Sequence, residues 1–346
     1  MEADPGRPAP GGVTTAPVVR VTLAGVRSAT HLVHAGGWLR HLLAHEAADV
    51  VVDYLGSGSF LGRDNVAEEH VREFLPSGPR VRLRPVGTPG HGRPVEGERR
   101  VLLSVGAPGI KPFLRLVTRE RTRPEVVVVD EGIGTYGDWR TRRDAWRRQG
   151  GREPWPTVRA AAVSTAARVL TDRRWALYEK VGPTWRVVPE VAAAFTSVEL
   201  PAEEPTAVYL TQPWVEMGLL GEDAYRAHLE DVAAACEAVG LVFAVRPHPA
   251  EAGGRYAAWR ELSRDRPAEL DSQVLAAAVV LGTDSTALLN LAAVHAKRAL
   301  RVSLPELDHL ETALGPDQRS LLDAFLPEPV LAADRTALAA ALSASR

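Results

Sequence analysis

Short runs of β-branched and aliphatic residues alternate with longer helical segments from Val18 almost to the end of the chain. This alternation is typical of helices layered around a mainly parallel sheet, so the predicted fold class is α/β. Nine runs predict strands, and in chain order they are Val18–Leu23, Val50–Tyr54, Val81–Arg84, Val101–Ser104, Val126–Val129, Ala207–Leu210, Leu241–Val245, Val279–Leu281 and Leu300–Val302.

One segment shows the helical pattern in detail. Within Glu222–Val239, apolar residues recur at alternating spacings of four and three, at Tyr225, Leu229, Val232, Cys236 and Val239. This spacing places them on one face of a helix, and Gly240 follows where a glycine commonly ends one. Cys236 is therefore predicted to be a core residue.

The chain is long enough for two domains. It has 346 residues, of which 45% are hydrophobic and 24% charged, a composition that supports two separate cores. An acidic stretch with proline at both ends, residues 201–205, precedes a new strand and predicts a boundary. We expect an N-terminal domain over residues 18–200 and a C-terminal domain over residues 201–346.

Residues 1–17 are rich in Pro, Gly and Ala, and we expect a disordered tail there rather than a signal peptide.

Charge and cysteine content exclude several classes of protein. The formal net charge of −2 argues against a chain-wide nucleic-acid-binding surface, and the single cysteine excludes an intramolecular disulfide framework. No apolar run approaches the roughly twenty residues of a membrane span. We expect a cytoplasmic protein without a nucleic-acid partner. A peripheral contact with the inner face of a membrane and the oligomeric state both stay open, because no heptad pattern decides them.

Three predicted strands end in chemically reactive residues. The run Val126–Val129 leads into Asp130, Glu131 and Gly132, the strand near Val245 leads into residues 246–249 (Arg-Pro-His-Pro), and the strand ending at Leu281 leads into residues 282–286 (Gly-Thr-Asp-Ser-Thr). In α/β enzymes, ligands bind outside the carboxyl ends of the strands. These exits are therefore the candidate functional residues, and two facing domains would bring them together across a cleft.

The acid pair suits general base catalysis. Burial or a nearby negative charge raises the pKa of a carboxylate, which makes it a better base. Successive side chains diverge at a strand end, so one member of the pair faces the cleft. We predict that Glu131 is the base and Asp130 is structural. The alternative is that the pair only caps the following turn.

The histidine is held by its neighbours. Pro247 and Pro249 restrict the backbone on both sides of His248, so the imidazole is suited to donate a hydrogen bond to a departing phosphate. Arg246 adds a positive charge, and Glu251 is predicted to reach a ribose hydroxyl. A purely structural histidine is the alternative.

The third exit precedes a helical sequence. Ser285 or Thr286 is predicted to cap this helix, and its first amide groups, together with the hydroxyls, form a candidate phosphate site. An ordinary helix cap is the alternative.

Three other patterns receive different interpretations. Residues 132–137 spell G-x-G-x-x-G, but bulky charged residues follow, so we treat the match as accidental. His41 and His45 lie one helical turn apart without the acid of a zinc motif, and no metal site is predicted.

Residues 139–148 contain five arginines and two tryptophans. They are either a solvated basic face or a surface for an acidic acceptor or an anionic membrane, and Arg140 is assigned to the acceptor side.

Taken in order, Asp130-Glu131-Gly132, His248-Pro249 and Ser285-Thr286 resemble the three signature motifs of bacterial sialyltransferases, including the polysialyltransferase-like and lipooligosaccharide sialyltransferase groups. Residues 210–216 resemble the strand and loop that open the second domain of that family. Residues 246–251 are similar to its basic-x-His-Pro-x-acid run, and residues 27–35 to its first strand-to-helix turn.

The resemblance implies a GT-B fold, in which two Rossmann-like domains with mainly parallel sheets face a central cleft. It also implies an inverting, metal-independent enzyme that transfers sialic acid or a related nonulosonic acid from a CMP-activated donor to a glycan or other hydroxyl acceptor, without a further cofactor. By match of motif, Glu131 would be the base, and His248, Ser285 and Thr286 would bind the donor phosphate. We assign three residues to the acceptor side, Gly132, His31 and Arg140. The residues that we assign to the donor are Arg246, His248, Pro249, Glu251, Thr211, Gln212, Ser285 and Thr286.

Two alternatives to this function stay open. One is a GT-B transferase or an epimerase-like enzyme that uses UDP- or GDP-sugars, and the other is a nucleotide-sugar-binding protein without turnover.

Overall fold

The structure is a computed structural model of the full chain, and it describes residues 17–54, 58–60, 63–86, 97–148 and 150–344. Residues 1–16 of the predicted tail lie outside this range. Pro17 begins the described chain, and its carbonyl accepts a hydrogen bond from the Asp49 amide at 3.0 Å.

Strands and helices alternate as the sequence predicts. The strands are β1 (Val18–Ala24), β2 (Asp49–Tyr54), β3 (Gly58–Phe60), β4 (Arg63–Val66), β5 (Val81–Pro85), β6 (Glu98–Val105), β7 (Glu125–Val129), β8 (Arg173–Trp175), β9 (Tyr178–Val181), β10 (Thr184–Val187), β11 (Glu204–Leu210), β12 (Val242–Arg246), β13 (Arg260–Glu261), β14 (Ala277–Gly282), β15 (Ala299–Ser303) and β16 (Val330–Leu331).

Most connections between the strands are helical. The α-helices are α1 (Ala29–His45), α2 (Glu68–Phe74), α3 (Ile110–Glu120), α4 (Trp139–Arg148), α5 (Trp155–Leu170), α6 (Pro189–Ala192), α7 (Glu222–Ala238), α8 (Ser272–Ala276), α9 (Thr286–His295), α10 (Asp308–Thr312), α11 (Pro316–Phe325) and α12 (Arg335–Ser343). Three short 3₁₀ helices span Ile133–Tyr136, Ala268–Leu270 and Pro305–Leu307.

Two parallel six-stranded sheets organise the chain. The first has the strand order β5-β2-β1-β6-β7-β8 and the second has the order β13-β12-β11-β14-β15-β16. If the strands of each sheet are numbered along the chain, both orders become 3-2-1-4-5-6, the order of a doubly wound nucleotide-binding domain. The nine predicted strands all occur in these two sheets.

Helix α7 confirms the pattern found in the sequence. Tyr225, Leu229, Val232 and Cys236 are fully buried against the second sheet, and Gly240 has a left-handed φ of 75° just beyond the helix. Cys236 is therefore a core residue, as predicted.

The two sheets belong to one packed body. A continuous apolar cluster includes Val127 and Val129 of the first sheet and Val208 and Leu210 of the second. Polar contacts reinforce it, since the Tyr178 hydroxyl donates to Asn290 Oδ1 at 2.7 Å. Helix α11 lies across the junction, where Gln318 Nε2 donates to the Ile133 carbonyl at 3.0 Å.

We expect the pH dependence of stability to report the buried histidine of α7. Burial lowers the pKa of His228 to about 4, and the ring lies 2.8 Å from the Tyr209 hydroxyl. Unfolded histidine titrates near 6.5, so the unfolded chain binds this proton first as the pH falls. The free energy of unfolding should therefore decrease between about pH 6.5 and pH 4, with His228 contributing at most ~1.4 kcal/mol per pH unit.

Urea unfolding across this pH range tests the expectation. In the variant His228→Gln, the free energy of unfolding should change less steeply with pH. Part of the dependence should persist, because burial also lowers the pKa values of His31 and His248 to about 4. Equal slopes in the variant and the parent chain would contradict it.

Candidate functional site

A cleft of about 350 Å³ lies where the carboxyl ends of the two sheets meet. Each sheet reverses its direction of strand addition between its first and fourth strands, and doubly wound proteins bind ligands at such switch points. The structure brings most of the candidate residues to this cleft. Those that line it are His31, Glu131, Thr211, Gln212, Arg246, His248, Pro249, Ser285 and Thr286.

Asp130 organises the turn below the cleft. Its side chain is 1% exposed and accepts hydrogen bonds from the Gly132 amide at 2.8 Å, the Leu177 amide at 3.0 Å and the Tyr136 hydroxyl at 2.5 Å. These bonds tie the exit of β7 to the segment that precedes β9. Both carboxylate oxygens are occupied, so Asp130 holds the backbone that carries Glu131.

Glu131 faces the opposite way, into the cleft. Glu131 is exposed to solvent through the cleft, while its carboxyl group is partly desolvated by the protein around it. This desolvation raises the pKa of the Glu131 carboxyl, while the charges of Arg27 and Arg142 lower it and Asp130 raises it slightly. A carboxylate with a raised pKa in a cleft fits the chemistry of a general base.

Gly106, at the exit of β6, makes room for this carboxylate. A Cβ at that position would collide with Glu131 Oε2, and the backbone has a left-handed φ of 71°. The sequence contains a signal for this, because Gly106 lies two residues beyond the predicted strand Val101–Ser104, but the absence of polar groups in residues 105–109 hides its role.

His31 lines the cleft and supports the turn that precedes α1. Its Nδ1 accepts a hydrogen bond from the Arg27 amide at 3.0 Å. Burial lowers its pKa to about 4, so the ring is neutral near pH 7. The acceptor-side role of His31 stays a prediction, since the residue lines the cleft while its Nδ1 is bonded to the turn.

His248 is oriented by its own loop. Its Nδ1 accepts a hydrogen bond from the Ala250 amide at 3.1 Å, so the proton of the neutral ring resides on Nε2. Burial, with a smaller effect from the Arg246 charge, lowers the pKa of His248 to about 4. The structure thus presents a neutral imidazole with a donor on the cleft side of the loop.

Glu251 lies beneath this loop, which corrects the prediction that it reaches a ribose hydroxyl. Its side chain is 0% exposed and accepts hydrogen bonds from the His248 amide at 2.7 Å, from the Tyr256 hydroxyl at 2.6 Å and from the Thr211 hydroxyl. Thr211 in turn accepts from the His248 amide at 2.9 Å. Glu251 and Thr211 therefore position His248, and Glu251 does not line the cleft.

Arg246 is also largely committed to the protein. Its guanidinium donates to the Arg266 carbonyl and lies 3.8 Å from the Asp271 carboxylate. A different acid, Glu269, lines the cleft. Its carboxylate accepts a hydrogen bond from Asn290 Nδ2 at 2.8 Å. Burial raises the pKa of Glu269. The sequence contains no strand exit or motif that would single out this residue.

The amino end of α9 reaches both domains. Thr286 Oγ1 accepts a hydrogen bond from the Ile133 amide at 3.1 Å, so one predicted donor ligand connects the two motifs directly. Gly132 permits this approach, because a Cβ there would lie 2.6 Å from Thr286 Oγ1. Gly132 therefore serves the domain contact. Ser285 is the N-cap of α9, and its hydroxyl makes no capping bond to the helix amides.

Helix α4 places its arginines differently from the prediction. Arg140 does not line the cleft, and its guanidinium lies 5.8 Å from the ring centroid of Trp139. Arg142 is the arginine of this helix whose charge acts on Glu131. Which of Arg140 and Arg142 acts on Glu131 depends on the orientation of α4, and the spacing of the residues in the sequence does not give that orientation.

Across the described ranges, no group of three or more His, Cys, Asp or Glu side chains is arranged to hold a metal ion. No helix in the same part of the chain is both long and apolar enough to span a membrane.

No protein-family model and no curated protein matches the sequence. A 2,6-sialyltransferase from Vibrionaceae Photobacterium sp. JT-ISH-224, in complex with CMP and lactose, aligns over 92% of this chain and 79% of that chain, with 10% identity and a TM-score of 0.50. The chain has a GT-B fold. This confirms the predicted fold class, and at this identity the likeness concerns the fold alone.

Two other solved structures align over a similar share of this chain. A UGT transferase from Siraitia grosvenorii in complex with UDP covers 94% of this chain and 92% of its own, with 12% identity and a TM-score of 0.49. A sialyltransferase from Photobacterium damsela covers 92% and 82%, with 12% identity and a TM-score of 0.48.

We expect the two adjacent acids to differ sharply in their effect on stability. Asp130→Ala leaves three buried donors without their acceptor, which should lower the free energy of unfolding by about 3 kcal/mol. Glu131→Ala removes a cleft-facing carboxylate and should change it by only about 0.5 kcal/mol. Urea unfolding of the two variants measures the difference, and similar losses would disprove the division of roles.

Proposed function

We propose that the protein is a glycosyltransferase that moves sialic acid or a related nonulosonic acid from a CMP-activated donor to a hydroxyl acceptor, with inversion. One observation carries the proposal. A desolvated carboxylate from the first domain, Glu131, shares a single cleft with a neutral imidazole donor, His248, and a helix amino end from the second domain.

The first part of the reaction belongs to Glu131. Its carboxylate removes the proton of the acceptor hydroxyl as the hydroxyl oxygen attacks the anomeric carbon. The new glycosidic bond forms on the face opposite the departing phosphate, and the bond between the anomeric carbon and the phosphate oxygen breaks. The raised pKa of Glu131 favours this proton transfer.

The second domain stabilises the departing CMP. His248 Nε2–H donates to the phosphate, and the first amides of α9 with the Ser285 hydroxyl contact the same group. A nucleoside monophosphate leaves with one phosphate group, so these neutral donors suffice in the proposed reaction without a divalent ion.

Two observations support CMP as the nucleotide. The motifs that contain Glu131, His248 and Ser285 resemble those of bacterial sialyltransferases and meet in one cleft. The structure from Photobacterium sp. JT-ISH-224, which has the same fold, holds CMP and lactose. A UDP- or GDP-sugar would use the same cleft with a second phosphate, so a nucleotide comparison decides between them.

Thermal stabilisation by CMP, CDP, UDP and GDP at equal concentrations provides the first test. A ligand that binds only the folded chain raises its stability by RT ln(1 + [L]/Kd), so CMP should raise the melting temperature most. His248→Ala should reduce that increase, while Glu131→Gln should retain it, because the base acts on the acceptor. A larger increase with UDP or GDP would reject the CMP donor.

The pH profile of transfer provides a test of the base. Release of CMP from CMP-N-acetylneuraminate should increase as the pH rises through the pKa of Glu131, which lies above the ordinary value of 4.5, because the base works deprotonated. Glu131→Gln should lower kcat by at least about 10²-fold with little change in donor binding. An unchanged rate in that variant would remove Glu131 from the mechanism.

A further inference from the structure

Helix α5 presents apolar side chains to solvent along one face. Trp155, Val158 and Val169 are 69%, 50% and 67% exposed, and Ala162 is exposed between them. Their spacings of three, four and seven residues keep all four on one face, because seven residues make about two turns of a helix. Ala160, on the opposite face, is completely buried. We call the four exposed residues the α5 stripe.

Exposed arginines lie on both sides of the α5 stripe. Successive residues are about 100° apart around a helix, so Arg159, which follows Val158, and Arg168, which precedes Val169, fall on opposite flanks. Both arginines are exposed. The helix itself contains no acidic residue. Its outward face is therefore an apolar centre with a positive charge at each edge.

Helix α4 packs against α5 and adds to the positive charge. The Arg159 guanidinium carbon lies 4.7 Å from the ring centroid of Trp146 on α4. The α4–α5 hairpin (residues 139–170) has eight arginines against two acids, Asp144 and Glu153, a formal charge of +6 in a chain of net charge −2. Each acid lies beside an arginine of the hairpin, at 2.9 and 3.9 Å. The hairpin therefore attracts anions.

These two properties together decide which partner covers the α5 stripe. Two copies of the chain that met through this surface would bring like charges together and repel each other. A nucleic acid would use the arginines but leaves the valines without a role. A surface of anionic phospholipids suits both parts, since apolar side chains enter the acyl boundary while flanking arginines contact the phosphates.

We propose that the α4–α5 hairpin attaches the protein to an anionic phospholipid surface, with the α5 stripe inserted and Arg159 and Arg168 at the headgroups. Among the interpretations open for residues 139–148, this selects the anionic membrane. The hairpin's described residues do not line the cleft, so the proposal does not depend on the proposed donor.

Co-sedimentation of the full chain with lipid vesicles tests the proposal. Vesicles of phosphatidylcholine with about one third phosphatidylserine should bind the chain at least about 10-fold more tightly than phosphatidylcholine alone, because each arginine near an anionic surface strengthens binding. Added salt should weaken this binding by screening the charges. Equal binding to the two kinds of vesicle, or none to the anionic vesicles at low salt, would overturn the proposal.

Two double variants separate the apolar from the charged contribution. Trp155→Gln with Val158→Gln should weaken binding to the anionic vesicles by about 10-fold or more, because apolar area no longer leaves water. Arg159→Gln with Arg168→Gln should weaken it by about 10-fold and reduce its dependence on salt. All four positions are exposed, so both variants should keep the melting temperature of the parent chain.

Matched controls come from the second domain. Val242, at the start of β12, is 53% exposed, and Arg226 on α7 is exposed. Val242→Gln and Arg226→Gln change the same residue types outside the hairpin and should leave vesicle binding unchanged. If the controls weaken binding as much as the hairpin variants do, the hairpin is not the site of attachment.

The other partners give different results with the same variants. Sedimentation velocity detects a dimer, and a dimer that Trp155→Gln with Val158→Gln dissociates, without vesicle binding, would make the α5 stripe an interface between copies. Binding of a single-stranded oligonucleotide that depends on Arg159 and Arg168, without vesicle binding, would make the hairpin a nucleic-acid surface. Either result would show the proposal to be wrong.

Discussion

The arrangement of the site depends on one close contact between the two domains. Thr286, at the start of α9, accepts a hydrogen bond from the Ile133 amide next to Gly132, where the absence of a Cβ lets the Thr286 side chain approach. Doubly wound sheets bind ligands outside the carboxyl ends of their strands, so this contact, with the apolar cluster that spans both sheets, turns those two edges towards a common space. Glu131 and His248 share a cleft for this reason.

Asp130 and Glu131, adjacent at the end of β7, have different roles that one carboxylate could not combine. A base requires a carboxylate that is desolvated but unpaired, whereas a rigid turn requires a carboxylate whose oxygens are fully bonded. The Asp130 carboxylate accepts hydrogen bonds from three donors, whereas within this turn the Glu131 carboxylate accepts none. The alternation of side chains at a strand end makes this division possible, and Gly106 supplies the space for Glu131.

In the second domain, too, a buried carboxylate holds the backbone that carries a cleft residue. Glu251 is buried and holds the His248 amide together with the hydroxyls of Thr211 and Tyr256. These bonds fix the backbone, and the Ala250 amide then fixes the ring, so that Nε2 carries the proton. Glu251, which the motif makes conspicuous, therefore supports the loop, while Glu269 from a segment without a motif lines the cleft.

The sequence by itself determined the α/β class, all nine strands of the prediction, the core face of α7 and the three strand exits, because these follow from local periodicity and from residues adjacent in the chain. Only the tertiary structure decided which side chains face the cleft. Glu251 and Glu269, or Arg140 and Arg142, are indistinguishable by residue type and differ only in the surroundings that distant segments supply. Burial, charge and hydrogen-bond partners depend on those segments, so the roles of such residues emerge only when the chain is folded.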